Sequence, residues 1–257
     1  MTEVPLRRRA AAARFRDLCG TRDRCGNAMR PVRSVTALLV QPLLLLVMPV
    51  LLILVLAGCS GGRSVRVAGQ QEAMSSNSPQ ARQCRAQLAQ SGVAFTQAQD
   101  LSAGQGCDSV GAVYLQSLPS DTGRMMLANL DRVACPLADS FSRWARYGVN
   151  RAAEQILGSP VSRIETFGSY SCRNVAGTTR RSAHALAEAI DISAFVLVDG
   201  RRISVLQGWN GSEAERRFLR TVHASACKRF ATVLSPDYNA AHRDHLHVEA
   251  GSGRFCR

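Results

Sequence analysis

Apolar positions divide the chain into a long uncharged run near its start and a C-terminal part with helix and strand periodicity. Between Thr36 and Gly58 there is no charged residue, and the run ALLVQPLLLLVMPVLLILVLAG is long enough to span a bilayer. Residues 59–79 are rich in Ser, Gly, Gln and Asn without apolar periodicity, which predicts a flexible tether. The periodic patterns occupy residues 80–257, enough for one folded domain that needs no oligomer, so we expect a monomer.

The C-terminal patterns predict both helices and strands. Apolar spacings of three to four predict helices, and alternation predicts strands. Helices are expected at 81–90, 136–148, 151–158 and 213–234. Strands are expected at 112–118, 164–173, 189–198, 202–206 and 245–250, the fourth after an Asp199-Gly200 hairpin turn. This combination indicates an α+β fold with helices packed on an antiparallel sheet.

The helix expected at 136–148 shows how one face would be buried. Pro136 suits the first turn of a helix, where its missing N–H is not needed. Leu137, Phe141 and Trp144 recur at spacings of three to four and would point inward.

Positive charge is abundant but scattered. The formal net charge is +13, and residues 1–58 hold nine arginines against three acidic residues. In the remainder Lys228 is the only lysine, and no basic cluster with interleaved aromatic residues occurs. The charge is compatible with an anionic envelope polymer or a membrane surface, and it does not indicate nucleic-acid binding.

The start of the chain has the order of an export signal, with arginines before the apolar run. The run ends in Leu56-Ala57-Gly58-Cys59, which resembles the bacterial lipoprotein processing box. The resemblance implies cleavage before Cys59 and lipidation of its thiol, and the alternative is an uncleaved signal anchor. Either way, residues 1–58 act as a leader, with Met29 as the expected true start. The C-terminal domain would then face the periplasm at the cell envelope.

Export changes the interpretation of the cysteines. An even number in an oxidising compartment predicts three disulfides and no free thiol nucleophile. The six candidates are Cys84, Cys107, Cys135, Cys172, Cys227 and Cys256. Spacing leaves the pairing open, although Cys84 with Cys107 would close a local loop.

Histidines and one aspartate form the candidate chemistry. Three of the five histidines in the chain lie between His242 and His247, and His184 precedes Asp191 by seven residues. Imidazole and carboxylate are ligands that zinc takes, and a catalytic site uses three of them and leaves one position open for water. On a strand His245 and His247 share one face, so one could bind the metal while the other faces a substrate.

The stretch from Ser182 to Asp191 is similar to the S-x-H-x-x-G-x-A-x-D signature of the LAS zinc peptidases, with Ala187 where glycine is usual. That group includes D-alanyl-D-alanine carboxypeptidases and the penicillin-insensitive murein endopeptidase. The resemblance implies a LAS/hedgehog-like metallopeptidase core in which His184, Asp191 and His247 bind one zinc ion.

The closing sequence His242-Arg-Asp244-His245-Leu-His247 resembles the H-x-x-H-x-H of the murein endopeptidase branch. Asp244 stands where carboxypeptidases of the group have a glutamate base. His245 and Asp244 are therefore alternative general bases, and strand alternation favours His245. Arg173, at the end of a predicted strand, would suit a substrate carboxylate or an oxyanion, or is a surface arginine beside a disulfide.

A string of cysteines and short motifs, including Gly168-Ser-Tyr-Ser-Cys172-Arg173 and Val233-Leu-Ser-Pro-Asp-Tyr-Asn239, resembles the bacterial extensin-like C-terminal domain family. Together with the zinc-peptidase motifs it implies a zinc-dependent hydrolase that cleaves peptide bonds of peptidoglycan stem peptides or cross-links. The alternative is a non-catalytic, zinc-stabilised envelope module that binds peptidoglycan or a protein.

Overall fold

A computed structural model of the protein describes residues 75–257. The α-helices are α1 (Pro79–Gln90), α2 (Cys135–Trp144), α3 (Arg151–Leu157), α4 (Val205–Gly208) and α5 (Glu213–Ala226). The strands are β1 (Ala94–Gln97), β2 (Ala112–Pro119), β3 (Arg124–Ala128), β4 (Val133–Ala134), β5 (Val161–Gly168), β6 (Ala189–Leu197), β7 (Arg202–Ser204), β8 (Thr232–Leu234), β9 (Leu246–Glu249) and β10 (Phe255–Cys256). None of the described helices combines the length and apolar character needed to cross a membrane. The leader, the apolar run, Cys59 and residues 60–74 lie outside the described residues.

One sheet carries all ten described strands, in the order β1-β2-β3-β5-β6-β9-β8-β10, with β4 paired to β2 and β7 to β6. Helices and a sheet are present as expected, but the sheet is mixed and not antiparallel throughout. β3 pairs with β5 in parallel because the chain between them crosses over through α2 and α3. β8 and β10 are also parallel.

The helix α2 buries the face that its sequence predicts. Leu137, Phe141 and Trp144 are all fully buried. The indole N–H of Trp144 donates to the carbonyl of Val222 in α5 at 3.2 Å, and its ring meets Phe195 of β6 edge-on. These contacts fix the helical layer against the middle of the sheet, where the candidate site lies.

Several element boundaries differ from the sequence prediction, and two of the differences are large. The strand expected at 164–173 ends at Gly168, whose φ of 119° favours glycine, and Arg173 therefore lies in a loop. The helix expected at 213–234 ends at Ala226. Phe230 and Leu234 continue the apolar spacing of a helix. The β-branched residues Thr232 and Val233, however, belong to the strand β8, which pairs with β9.

All six candidate cysteines form disulfides, which confirms that prediction. Cys84 bonds to Cys135 at the start of α2, Cys107 bonds to Cys172, and Cys227 bonds to Cys256. The suggested pairing of Cys84 with Cys107 is wrong, because α1 packs beside α2 and brings Cys84 to Cys135 instead.

Gly148 marks a close approach of two helical segments. It lies in a π-helical segment (Ala145–Asn150) that joins α2 to α3. A Cβ atom there would meet Ser225 Oγ and, at 2.9 Å, Trp144 Cδ1. Overpacking outweighs the helix propensity of alanine, so we expect Gly148→Ala to lower the free energy of unfolding by about 1–2 kcal/mol in urea denaturation. Adding Ser225→Ala should restore part of the loss, and a single variant as stable as wild type would contradict the expectation.

Candidate metal centre

His184, Asp191 and His247 meet at the centre of the sheet. Asp191 lies in β6, directly opposite His247 of β9, while His184 lies on a 3₁₀ turn (Ala183–Leu186) that leads into β6. All three residues are buried. Each offers one donor atom to a group whose members lie within 4.8 Å of one another.

The donor separations fit one small ion. His184 Nε2 lies 3.1 Å from Asp191 Oδ2 and 3.3 Å from His247 Nδ1, and His247 Nδ1 lies 2.7 Å from Asp191 Oδ1. Donors at zinc-bond distance from a tetrahedral ion lie about 3.3 Å apart. The arrangement therefore places two nitrogens and one carboxylate around a common point.

The outer nitrogens of both histidines already have acceptors. His184 Nδ1 donates to the carbonyl of Ser169 at 3.1 Å, and His247 Nε2 donates to Glu249 Oε1 at 2.9 Å. Each bond leaves the other ring nitrogen facing Asp191, where it donates to the carboxylate when protonated and would offer a lone pair to a metal ion once that proton is lost. Metal-binding histidines are oriented in this way by a carbonyl or a carboxylate.

The cluster stabilises positive charge. Burial alone would raise the pKa of the Asp191 carboxyl, yet hydrogen bonds with His184 and His247 hold that pKa well below its ordinary range. Burial opposes a charge on His247, but hydrogen bonds to Asp191 and Glu249 raise its pKa to about 9. A divalent cation would take the place of this proton, so the donor set fits a metal such as zinc.

The turn that carries His184 is fixed by a side chain at its start and by the backbone at its end. Ser182 Oγ accepts from the backbone N–H of His184 and starts the turn. Ala187 ends the turn with φ at 58°, in the left-handed region, which costs about 1–2 kcal/mol for a residue with a Cβ atom. Glycine would adopt this conformation without that cost.

The loop before β9 brings His245 and Asp244 to the edge of the cluster. His245 Nδ1 donates to Asp244 Oδ1 at 2.8 Å, and its Nε2 lies 3.5 Å from Asp191 Oδ1. The strand begins at Leu246, so His245 lies just before β9 and still faces the same side as His247. Asp244 thus contacts His245, while His245 itself faces the cluster.

His242 contacts the rings of His245 and His247, and Arg173 acts on it through its charge. The side chain of Asn239 accepts from His242 Nδ1 at 2.7 Å. Burial, followed by the charges of His245 and His247, lowers the pKa of His242 to about 4, so His242 is neutral at pH 7. The charge of the exposed Arg173 also lowers this pKa, so the guanidinium lies within electrostatic range of His242.

Three residues of the site were not predicted. Glu249 follows His247 by two residues on the same strand, so alternation could have indicated it. Phe167 is 61% exposed, and its ring meets that of His245 edge-on with the centroids 5.9 Å apart. An apolar residue in a strand is expected to be buried, so its sequence position did not indicate this exposed contact. Ser169 contributes a backbone carbonyl, which any residue type could supply.

A second group of donor atoms comprises His223, Cys227 and Cys256. Its two sulfur atoms are bonded to each other, with His223 Nε2 3.7 and 3.6 Å from them. The oxidised pair offers no thiolate, so this group is a disulfide contact and not a metal site.

Comparisons with known proteins bear on the whole described domain. Searches of curated proteins and of solved structures found no match. The family model described as Extensin-like protein C-terminus matches residues 82–257, which confirms the resemblance seen in the cysteines and short motifs. Because this match covers more than half of the chain, the protein belongs to the extensin-like C-terminal domain family.

Proposed function

We propose that the protein is a zinc-dependent hydrolase that cleaves peptide bonds in the stem peptides or cross-links of peptidoglycan. The observation that carries the proposal is the buried group of His184, Asp191 and His247, with an acceptor behind each histidine. The similarity of Ser182–Asp191 to the LAS signature supports the same three residues. A LAS-like core is part of this proposal.

An open coordination position is supported by the composition of the group. The donor atoms within 4.8 Å of one another come from three residues, and His245 is outside that group. Three protein ligands with a free fourth position are typical of catalytic zinc, whereas structural zinc has four. When bound, zinc would polarise the scissile carbonyl and lower the pKa of a water molecule to about 7.

The residues around the cluster then have distinct roles. His245 accepts the proton of the attacking water, because its Nε2 faces Asp191 while Asp244 holds its Nδ1. Asp244 orients the ring and is 33% exposed at its side chain, against 12% for His245. Arg173, which is exposed, would bind a carboxylate of the substrate or the developing oxyanion.

The cellular setting is also proposed from the sequence. Export and lipidation of Cys59, or retention of the apolar run as an anchor, would bring the domain to the envelope where peptidoglycan lies. The three disulfides are consistent with an oxidising compartment.

The test is to incubate the purified protein with muropeptides, with zinc or with a chelator, and to identify products by mass spectrometry. We expect a product with a newly freed amine or carboxyl group that requires zinc and is absent with the Asp191→Ala variant, which lacks the central ligand. If the wild-type protein binds one zinc ion and yet releases no product from any muropeptide, the non-catalytic envelope module is the better account.

A further inference from the structure

The loop between β5 and the 3₁₀ turn holds His184 from two sides. His184 Nδ1 donates to the carbonyl of Ser169, and the carbonyl of His184 accepts from the N–H of Ser171, both at 3.1 Å. The carbonyl of Arg173 accepts from the N–H of Ser182 at the base of the turn. The ring and the backbone of this ligand therefore depend on where residues 169–182 lie.

This loop has little regular structure of its own. Among the described residues, its only β-type pairing is one isolated bridge, between Asn174 and Arg181, and residues 171–174 are exposed. A loop with few buried contacts opens at low free-energy cost unless something else fixes it. The restraint must come from outside the loop.

A second loop, residues 101–109, supplies that restraint at three points. Cys107, which is fully buried, is bonded to Cys172. The hydroxyl of Tyr170 donates to the carbonyl of Cys107 at 2.8 Å, and Arg181 Nε donates to the carbonyl of Gln105 at 2.6 Å. Along residues 169–182, the disulfide at Cys172 lies between the hydrogen bonds of Tyr170 and Arg181. It therefore fixes the position of one loop relative to the other.

We infer that the Cys107–Cys172 disulfide positions His184 for metal binding, so that the metal affinity of the cluster depends on this bond. The inference rests on the proposed metal centre. Cys84–Cys135 offers a comparison, because it joins α1 to α2 on the helical layer. It closes a span of 51 residues against 65 for Cys107–Cys172, so the two bonds restrict the unfolded chain to a similar degree.

The experiment measures the dissociation constant for Zn²⁺ by competition with a chromophoric chelator. The Cys107→Ser/Cys172→Ser variant should bind zinc about tenfold or more weakly than wild type, as for the loss of a group that orients a ligand. The Cys84→Ser/Cys135→Ser variant should stay within about twofold of wild type, because its bond reaches the turn of His184 only through one hydrogen bond, from the N–H of Ala134 to the carbonyl of Ala187. Circular dichroism establishes that each variant is folded at the temperature of measurement.

A thermodynamic cycle separates positioning from a general loss of stability. In a His184→Ala background, removing Cys107–Cys172 should no longer change the dissociation constant, since the positioned ligand is absent. With Co²⁺ in place of zinc, the visible absorption of the Cys107→Ser/Cys172→Ser variant should approach that of His184→Ala. Equal weakening in both backgrounds, or an unchanged dissociation constant in the wild-type background, overturns the inference.

A milder variant decides the matter if the serine pair does not fold. Tyr170→Phe keeps the disulfide and removes one hydrogen bond between the loops, so it should weaken zinc binding by about two- to threefold. In that case a dissociation constant equal to wild type overturns the inference. If the wild-type protein binds no zinc, the proposed metal centre itself is wrong, which is a different result from a wild type that binds zinc without needing the disulfide.

Discussion

Replacing His245 with glutamine is expected to lower kcat on a cleaved muropeptide by about a hundredfold to ten-thousandfold, the range for loss of a general base. Glutamine keeps a polar side chain of similar reach but cannot accept a proton at neutral pH. Because His245 is outside the three-ligand group, the variant should still bind one zinc ion. Steady-state kinetics and the zinc content of the purified variant check both parts.

Asp244→Asn is the matched control. An asparagine oxygen can still accept from His245 Nδ1, so kcat should fall by only about tenfold, as for an orienting group. A larger loss with Asp244→Asn than with His245→Gln would assign the base to Asp244, the alternative that the sequence leaves open.

The metal-free protein should lose about 3 kcal/mol of its free energy of unfolding between about pH 6 and pH 9.5, through His247 alone. The folded protein raises the pKa of this histidine from 6.5 to about 9. The stabilisation that His247 provides is therefore fully present below its pKa in the unfolded chain, and it disappears as the pH rises through its pKa in the folded protein. Urea denaturation in the presence of a chelator measures the difference.

Two controls isolate this contribution. His247→Gln removes the titrating group, so the pH dependence should become shallower by the same amount. Excess zinc should also reduce the pH dependence of the free energy of unfolding, since a histidine bound to zinc is neutral at both pH values. The same slope in wild type and in His247→Gln would show that another group is responsible.

Residues that share a regular element could be placed from the sequence. Asp191 and His247 lie on strands whose periodicity is visible, and the structure pairs them directly. The face of α2 that carries Trp144 was likewise predictable from its spacing. In such cases the local pattern alone determines which way a side chain points.

What depends on contacts between distant segments could not be predicted. The pairing of Cys84 with Cys135 follows from the packing of α1 beside α2, and the parallel pairing of β3 with β5 follows from the crossover between them. Ser169 acts through a backbone carbonyl, so its residue type carries no signal. The sequence contains the donor atoms, but their supports come from tertiary structure.

The position of Asp191 divides the proposed centre into two halves with different mobility. β6 is hydrogen-bonded to β5, β7 and β9, so Asp191 and His247 are held by the most extensively paired part of the sheet. His184 lies on a 3₁₀ turn and His245 in the loop before β9, so both lie on connecting segments. Such segments open locally far more often than a central strand does. A metal ion would therefore enter and leave past the segments that carry His184 and His245, while Asp191 and His247 are already in place before it arrives.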